Sequence, residues 1–284
     1  MNTLLWDHHF SVLRLEGRGS RAFLQGQTSA DIQSAETGQL LPACWLNATG
    51  RLQALLEIRL DASGADVLVL AGEVEAVQQG FDRVIFPADR VEIGKTRSQR
   101  RQEILIRGQP MSPVNVIWGD VVPSANNEPS THVAASSDQL DQWRAEQGWP
   151  LGPTEMDGTT NPFELGLAPW VHLNKGCYLG QETVAKLASK GEVKQQLRSW
   201  RATTSDLSCS VLTQGTVLRC RGERAGVITC AYPVQSEDGE RQQWIGLALV
   251  RRQALQESHL QLDDDQGVLA LFQPLGFSPP PSRT

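Results

Sequence analysis

No two of the five cysteines, Cys44, Cys177, Cys209, Cys220 and Cys230, are spaced as CxxC. An odd number of thiols in a large chain makes a poor disulfide framework, so reduced and mostly buried thiols are expected, and any metal would need ligands from distant segments. Long apolar runs are missing as well. None approaches the ~20 residues of a membrane-spanning helix, which removes the membrane from the expected partners. The opening MNTLLWDHHFSVLRL lacks a basic stretch ahead of an apolar core, and we read the protein as cytoplasmic. No Walker loop, HExxH motif, low-complexity block or internal repeat occurs, so the common phosphate-loop and zinc-protease signatures are absent.

Lysine is scarce, and its placement is informative. Of five lysines in the chain, Lys175, Lys186, Lys190 and Lys194 fall within twenty residues of one another, with Arg198 and Arg201 just beyond. The net charge of −6 argues against nucleic acid as a general partner, because such binding neutralises many phosphates. A local cationic patch on an acidic protein points instead to an anionic ligand or partner docking there. A solvated helix face that happens to use lysine is the alternative.

What is present describes an ordinary globular protein: 284 residues, 40% hydrophobic and 20% charged. That length favours two or three packed units over one. The run Phe10–Leu15 reads as a strand. After Gly17 and Gly19, Ser20 is placed to cap a short helix with Ala22, Phe23 and Leu24 inward, ending near Gly26. Apolar runs from Leu41 to Leu70 are broken by Asn-Ala-Thr-Gly at 47–50 and Asp-Ala-Ser-Gly at 61–64, which predicts antiparallel strands. Val74, Val77, Phe81 and Val84 have helical spacing, and residues 90–95 return to an extended pattern. Residues 123–139 are polar and turn-rich, an expected loop, and 141–150 read as a short helix. From about residue 197 short apolar runs alternate with Gly, Asp and Ser, as in a small β-sandwich or barrel.

The stretch Asn174–Glu182, NKGCYLGQE, sets Cys177 behind Lys175 and between Gly176 and Gly180. A neighbouring cation lowers the cost of a thiolate, and glycine lets backbone or ligand approach closely, so Cys177 is a candidate reactive thiol, able to ligate iron or accept a persulfide. A packed, inert cysteine is the plain alternative. Gln181 and Glu182 would hydrogen-bond the loop or begin a helix running toward Lys186. His172 is the one histidine weighed as a base or ligand, and His8 and His9 are placed before the first strand. Eight tryptophans stand against two tyrosines, and Trp170 or Trp45 could stack on a flat ligand.

The run NPFELGLAPWVHLNKGCYLGQETVAKL, with FLQGQTSADI at 23–32, WLNATGRLQALL at 45–56, GERAGVITCAYP at 222–233 and IGLALVRR at 245–252, resembles the glycine-cleavage T-protein (aminomethyltransferase) and its YgfZ-type relatives. Together these segments are spread over most of the chain, from residue 23 to residue 252. The K-G-C-Y-x-G-Q-E form is similar to the YgfZ branch, and the NP-x-E-x-GL lead-in to its cyanobacterial and plastid members. The resemblance implies an α+β fold of three domains in a ring. These are a discontinuous folate-binding α+β domain (1–40 and 106–196), a ferredoxin-like domain (41–105) and a C-terminal β-barrel (197–277), followed by a disordered tail (278–284).

It also implies a tetrahydrofolate-binding auxiliary protein, or one binding a one-carbon derivative, that supports iron–sulfur cluster assembly or repair. Cys177 would be its functional residue, iron–sulfur proteins its clients, and a monomer is expected. Glu164, in an apolar setting, is the candidate for the carboxylate that receives the pterin's pair of N–H donors; a Glu capping the turn after Pro162 is the alternative. Asn47, Arg51, Trp170, Lys175, Gly176, Gln181 and Glu182 complete the expected folate site. Lys186, Lys190 and Lys194 would suit an anionic folate tail or a partner. T-proteins carry a pair of aspartates where this chain has Ala54 and Leu55, so aminomethyl transfer is the second reading. A non-catalytic protein- or RNA-interaction module is the third.

Overall fold

The structure, a computed structural model, describes residues 3–110, 116–119, 134–150, 152–203, 212–235, 242–263 and 267–281. Cys209, residues 123–133 of the expected loop and residues 282–284 of the expected tail lie outside the described residues.

Strand β1 (Thr3–Glu16) lies between β4 (Gly64–Ala71) and β6 (Arg97–Ile106) in one antiparallel sheet, ordered β2-β3-β4-β1-β6-β7. Here β2 is Leu40–Leu46, β3 Leu52–Leu60 and β7 Val116–Trp118, and the short β5 (Glu92–Ile93) pairs with β1. The turns fall at the polar breaks. Asp61 Oδ1 accepts the backbone N–H of Ser63 and Gly64, an Asx turn that reverses β3 into β4. Every residue of β4 is buried, which for a strand requires both faces of the sheet to be covered.

One face carries Leu13, Leu15, Leu56, Ile58 and Val67 against Phe23 and Leu24 of α1 (Ser20–Gln27) and Val77 and Phe81 of α2 (Val74–Asp82). The other packs Leu46, Leu52, Leu55 and Leu68 with Trp143, Phe163, Trp170 and Leu247. The α3 helix (Ser137–Gln147) is closed by a reciprocal capping box of Ser136 and Gln139. The strands β8 (Gln195–Thr203), β9 (Val217–Cys220), β10 (Glu223–Gln235), β11 (Gln242–Arg251), β12 (His259–Leu262) and β13 (Val268–Phe272) close into a barrel. Trp200, Leu218, Ile228, Val250 and Leu269 fill its interior.

Several local expectations are corrected. Ser20 does not cap α1 through its side chain; it is buried and donates to the Gly17 carbonyl, while Ala22 is exposed. Val84 falls beyond the end of α2 and is 38% exposed. The helix near residue 141 begins earlier, inside the expected loop. His8 and His9 lie within β1, and the His8 ring meets the edge of Phe10.

Candidate functional site

The NKGCYLGQE loop leads into α4 (Gln181–Lys190). Gly180 sits at φ +81°, and a Cβ there would stand 2.6 Å from the Asn47 carbonyl oxygen. The glycine therefore lets the 47–50 turn press against the start of α4. Asn47 holds that turn, its Oδ1 accepting the backbone N–H of Thr49 and of Arg51 at 3.0 Å each. Gly180→Ala should cost roughly 1–3 kcal/mol by strain and collision, read from the urea midpoint. Gly176 differs: it is exposed and nothing lies within 4 Å of its Cβ direction, so the expected close approach is not found there.

Gln181 Oε1 accepts the Tyr178 N–H at 3.3 Å, closing the loop onto the helix. Glu182 is exposed in the first turn of α4 and Lys190 in its last, both favourable to the helix dipole. Lys186 and Lys194 are exposed as well.

The expectation that Lys175 supports the Cys177 thiolate is corrected. Lys175 is buried, and its ammonium donates to the carbonyls of Gln25, Thr28 and Ala30 at 2.7, 2.5 and 2.6 Å, with the Tyr178 ring 4.8 Å away. Its three N–H donors are all taken. These carbonyls lie at and just beyond the end of α1, where helix carbonyls have no partners of their own. Burial lowers the ammonium to about 8, so it is charged at neutral pH. Lys175 thus ties the loop to the α1 terminus.

Among the described cysteines Cys177 alone is exposed, with Cys220 and Cys230 half-buried. Burial pushes the Cys44 thiol up to about 12 and the Cys230 thiol up to about 11. Selective alkylation should therefore reach Cys177 ahead of these two near pH 7, checked by mass spectrometry of the labelled chain. His172 is exposed, and its backbone N–H donates to the Ser29 carbonyl. Among the described residues no group of three or more His, Cys, Asp or Glu could hold a metal ion.

Glu164 is only 1% exposed. Its Oε2 accepts the Asn161 N–H at 3.2 Å, while Asn161 Oδ1 accepts the Glu164 N–H at 3.1 Å. The pair closes the turn after Pro162 as a capping box closes a helix. Arg51 Nη1 stands 3.8 Å from the same Oε2. Burial raises the Glu164 pKa, opposed by the Asn161 hydrogen bond and by the charges of Lys194 and Arg51. Glu164, Arg51, Asn47 and the start of α4 are thereby connected. Ala54 and Leu55 point into the two cores on opposite faces of β3.

Trp170 lies elsewhere. With Trp149, whose ring centre is 5.2 Å away, it walls a cavity of about 320 Å³ that Glu164 and Cys177 do not line. The floor of this cavity holds a buried charge cluster that sequence reasoning missed. Arg101 donates from Nε and Nη2 to Glu57 at 2.9 and 2.6 Å, and its Nη1 lies 2.8 Å from Glu103. Trp118 Nε1 also donates to Glu57, at 2.9 Å. Burial raises the Glu103 pKa against the pull of Arg101. The available signal was the spacing of Arg101 and Glu103, two apart in β6 and so on one face of the sheet.

No model of a protein family matches the chain. It is 23% identical to a chloroplastic protein of Arabidopsis thaliana provisionally named a transferase, over 96% of this chain and 71% of that one. It is 25% identical to the tRNA-modifying protein YgfZ of Klebsiella pneumoniae, over 97% and 93% of the two chains. The YgfZ of Colwellia psychrerythraea is 24% identical, over 81% and 80%. In structure the chain superposes on the glycine cleavage system aminomethyltransferase T of Bartonella henselae with a TM-score of 0.69 and 14% identity, covering 100% of this chain and 88% of that one. That superposition shows the fold expected from the resemblance, mixed α+β with a closed barrel. By sequence the chain is thus similar to YgfZ proteins and to a chloroplastic relative, and it carries the fold of the aminomethyltransferase T.

Proposed function

We propose that this chain binds tetrahydrofolate, or a one-carbon derivative of it, and acts as an auxiliary protein for iron–sulfur cluster assembly or repair, with Cys177 as its functional thiol. The observation that carries the folate part is the fold of an aminomethyltransferase along the whole chain. Cys177 supports the rest by being exposed on the loop that Lys175 and Gly180 fix in place. Aminomethyl transfer is the weaker reading because Ala54 and Leu55 supply no carboxylate to act as a base at a folate nitrogen. The tRNA-modifying name of two relatives makes RNA-modifying enzymes the first clients to assay.

Glu164 Oε2 accepts the Asn161 N–H and faces Arg51, while a carboxylate has further lone pairs with which to receive a ligand's donors.

Tetrahydrofolate titrated into the chain should give saturable heat in calorimetry, and its absence would remove folate from the reading. The exposed Lys186, Lys190 and Lys194 should favour polyglutamylated over monoglutamate folate at low salt, with the preference shrinking as ionic strength rises. No preference at low salt would return them to a solvated face. In cells lacking the native protein, Cys177→Ala should fail to restore iron–sulfur enzyme activity although it folds. Full restoration would leave NKGCYLGQE a packing motif.

A further inference from the structure

Among the described residues, the ionisable side chains that line the cavity between the sheet and the Trp149–Trp170 pair are Glu57, Arg101 and Glu103, all of them buried. Two carboxylates against one guanidinium leave one excess negative charge, and the hydrogen bonds show where it rests. Arg101 gives two bonds to Glu57, which also receives the Trp118 N–H. Glu103 has Arg101 Nη1 2.8 Å from its Oε2, while its Oε1 has no hydrogen-bond partner among the described residues. Arg59, which lies over the Trp118 ring, pairs with Asp66 instead. Gln147, 2% exposed, adds a second idle acceptor: its Nε2 donates to the Gln109 carbonyl, and its Oε1 accepts nothing among the described residues. A buried charge in excess is expensive, so it is met either by a proton or by a bound cation.

The rest of the cavity suits the cation. Trp149 and Trp170 wall it, and indole is the side chain that attracts cations best. Leu165 and Leu167 supply apolar surface beside them, and the volume of about 320 Å³ is at the lower end of ordinary small-ligand sites. We infer that this cavity binds a small organic cation, a protonated primary amine on a compact apolar body, with the ammonium directed to Glu103 and Gln147 and the body against the two tryptophans. The N–H donors of an ammonium match the two idle acceptors, and its charge cancels the excess. An anion would add to that excess, and a neutral ring would leave it in place. Neither Cys177 nor Glu164 lines the cavity, and the assignment does not rest on folate.

NMR of the nitrogen-labelled full chain, followed at the tryptophan indole N–H signals, tests the site with benzylamine and with benzyl alcohol, which has nearly the same shape and no charge. Trp149→Phe and Trp170→Phe identify the two signals of the cavity wall by their loss. Benzylamine at neutral pH should shift these signals saturably, and benzyl alcohol should bind at least about tenfold more weakly, as for a lost charge-assisted bond. Glu103→Gln keeps the size of the side chain, removes the excess charge and leaves Arg101 paired with Glu57. It should weaken benzylamine about tenfold or more and leave benzyl alcohol unchanged. A proton competes for Glu103, whose pKa burial raises above 4.5, so benzylamine should also weaken as pH falls toward that value, and this trend should vanish in Glu103→Gln. Benzylamine that binds no better than benzyl alcohol overturns the inference. Undiminished binding by Glu103→Gln overturns it as well, as do shifts confined to tryptophans that do not line the cavity. Were Glu103→Gln not to fold, the ratio of the two probes and its pH dependence in the unmodified chain would decide the matter.

Discussion

Replacing Arg101 by Met should destabilise the fold by about 3–5 kcal/mol, the usual range for breaking a buried ion pair by removing one partner. Arg101 is 1% exposed and neutralises two carboxylates, binding Glu57 through two hydrogen bonds and facing Glu103 at 2.8 Å. Its guanidinium also stands over the Trp6 ring, 5.0 Å from the centre. Methionine can fill much of the space but leaves Glu57 and Glu103 facing each other in an apolar core, with only Trp118 still donating to Glu57. Urea unfolding followed by tryptophan fluorescence measures the loss. The pH dependence gives an independent check. Burial already raises the Glu103 pKa above its ordinary 4.5, and without the pull of Arg101 it moves higher. A raised folded pKa means that the folded state takes up the proton first as pH falls. The variant should therefore regain stability relative to the unmodified chain as pH drops through that raised value toward 4.5. A loss below 1 kcal/mol, or no relative recovery in acid, would show the cluster to be solvated.

Lys175→Met should cost about 2–4 kcal/mol, whereas Cys177→Ala, two residues away, should stay within about 0.5 kcal/mol. The difference follows from where the two side chains go. Lys175 donates to the Gln25, Thr28 and Ala30 carbonyls, the one side chain among the described residues to do so, and draws them into one buried knot. Methionine keeps the length of the chain but removes this donor from the Gln25 and Thr28 carbonyls and leaves Ala30 with the Ile32 N–H alone. Cys177 is exposed, so its truncation opens no cavity. Paired melts of the two variants test this. A Lys175→Met chain as stable as its parent would return this lysine to the role read from the motif, a cation beside a thiolate.

Much of the sheet and barrel was legible because alternation and turn chemistry are local. The breaks at 47–50 and 61–64 separate strands, and the short apolar runs after 197 close into the barrel. The charge cluster was not legible in the same way. Glu57, Arg101 and Glu103 each look like a solvent-facing position in a half-buried strand; only the pairing of β1 with β4 and β6 brings them under one roof, far apart as they are in sequence. Lys175 misled for a related reason. Between asparagine and glycine it looks exposed, and its acceptors lie up to 150 residues earlier. Of the expected folate residues, Asn47, Arg51, Glu164 and the start of α4 come together, while Trp170 turns to the cavity of Glu103, a separation that one-dimensional spacing does not encode.

The central place of β1 in the sheet carries a consequence for synthesis. Its first residues pair with the last of β6, Thr3 opposite Ile106, so the strand made first must wait for one made about a hundred residues later. At about 5–20 residues per second that wait is on the order of 5–20 s. During it Leu4, Leu5, Val12, Leu13 and Leu15, all buried in the finished fold, belong to a strand with an open edge. Such non-local pairing is slow and exposes a nascent chain to self-association. The yield of this protein in a cell is therefore governed by how long β1 stays unpaired on the ribosome as well as by the stability of the finished sheet.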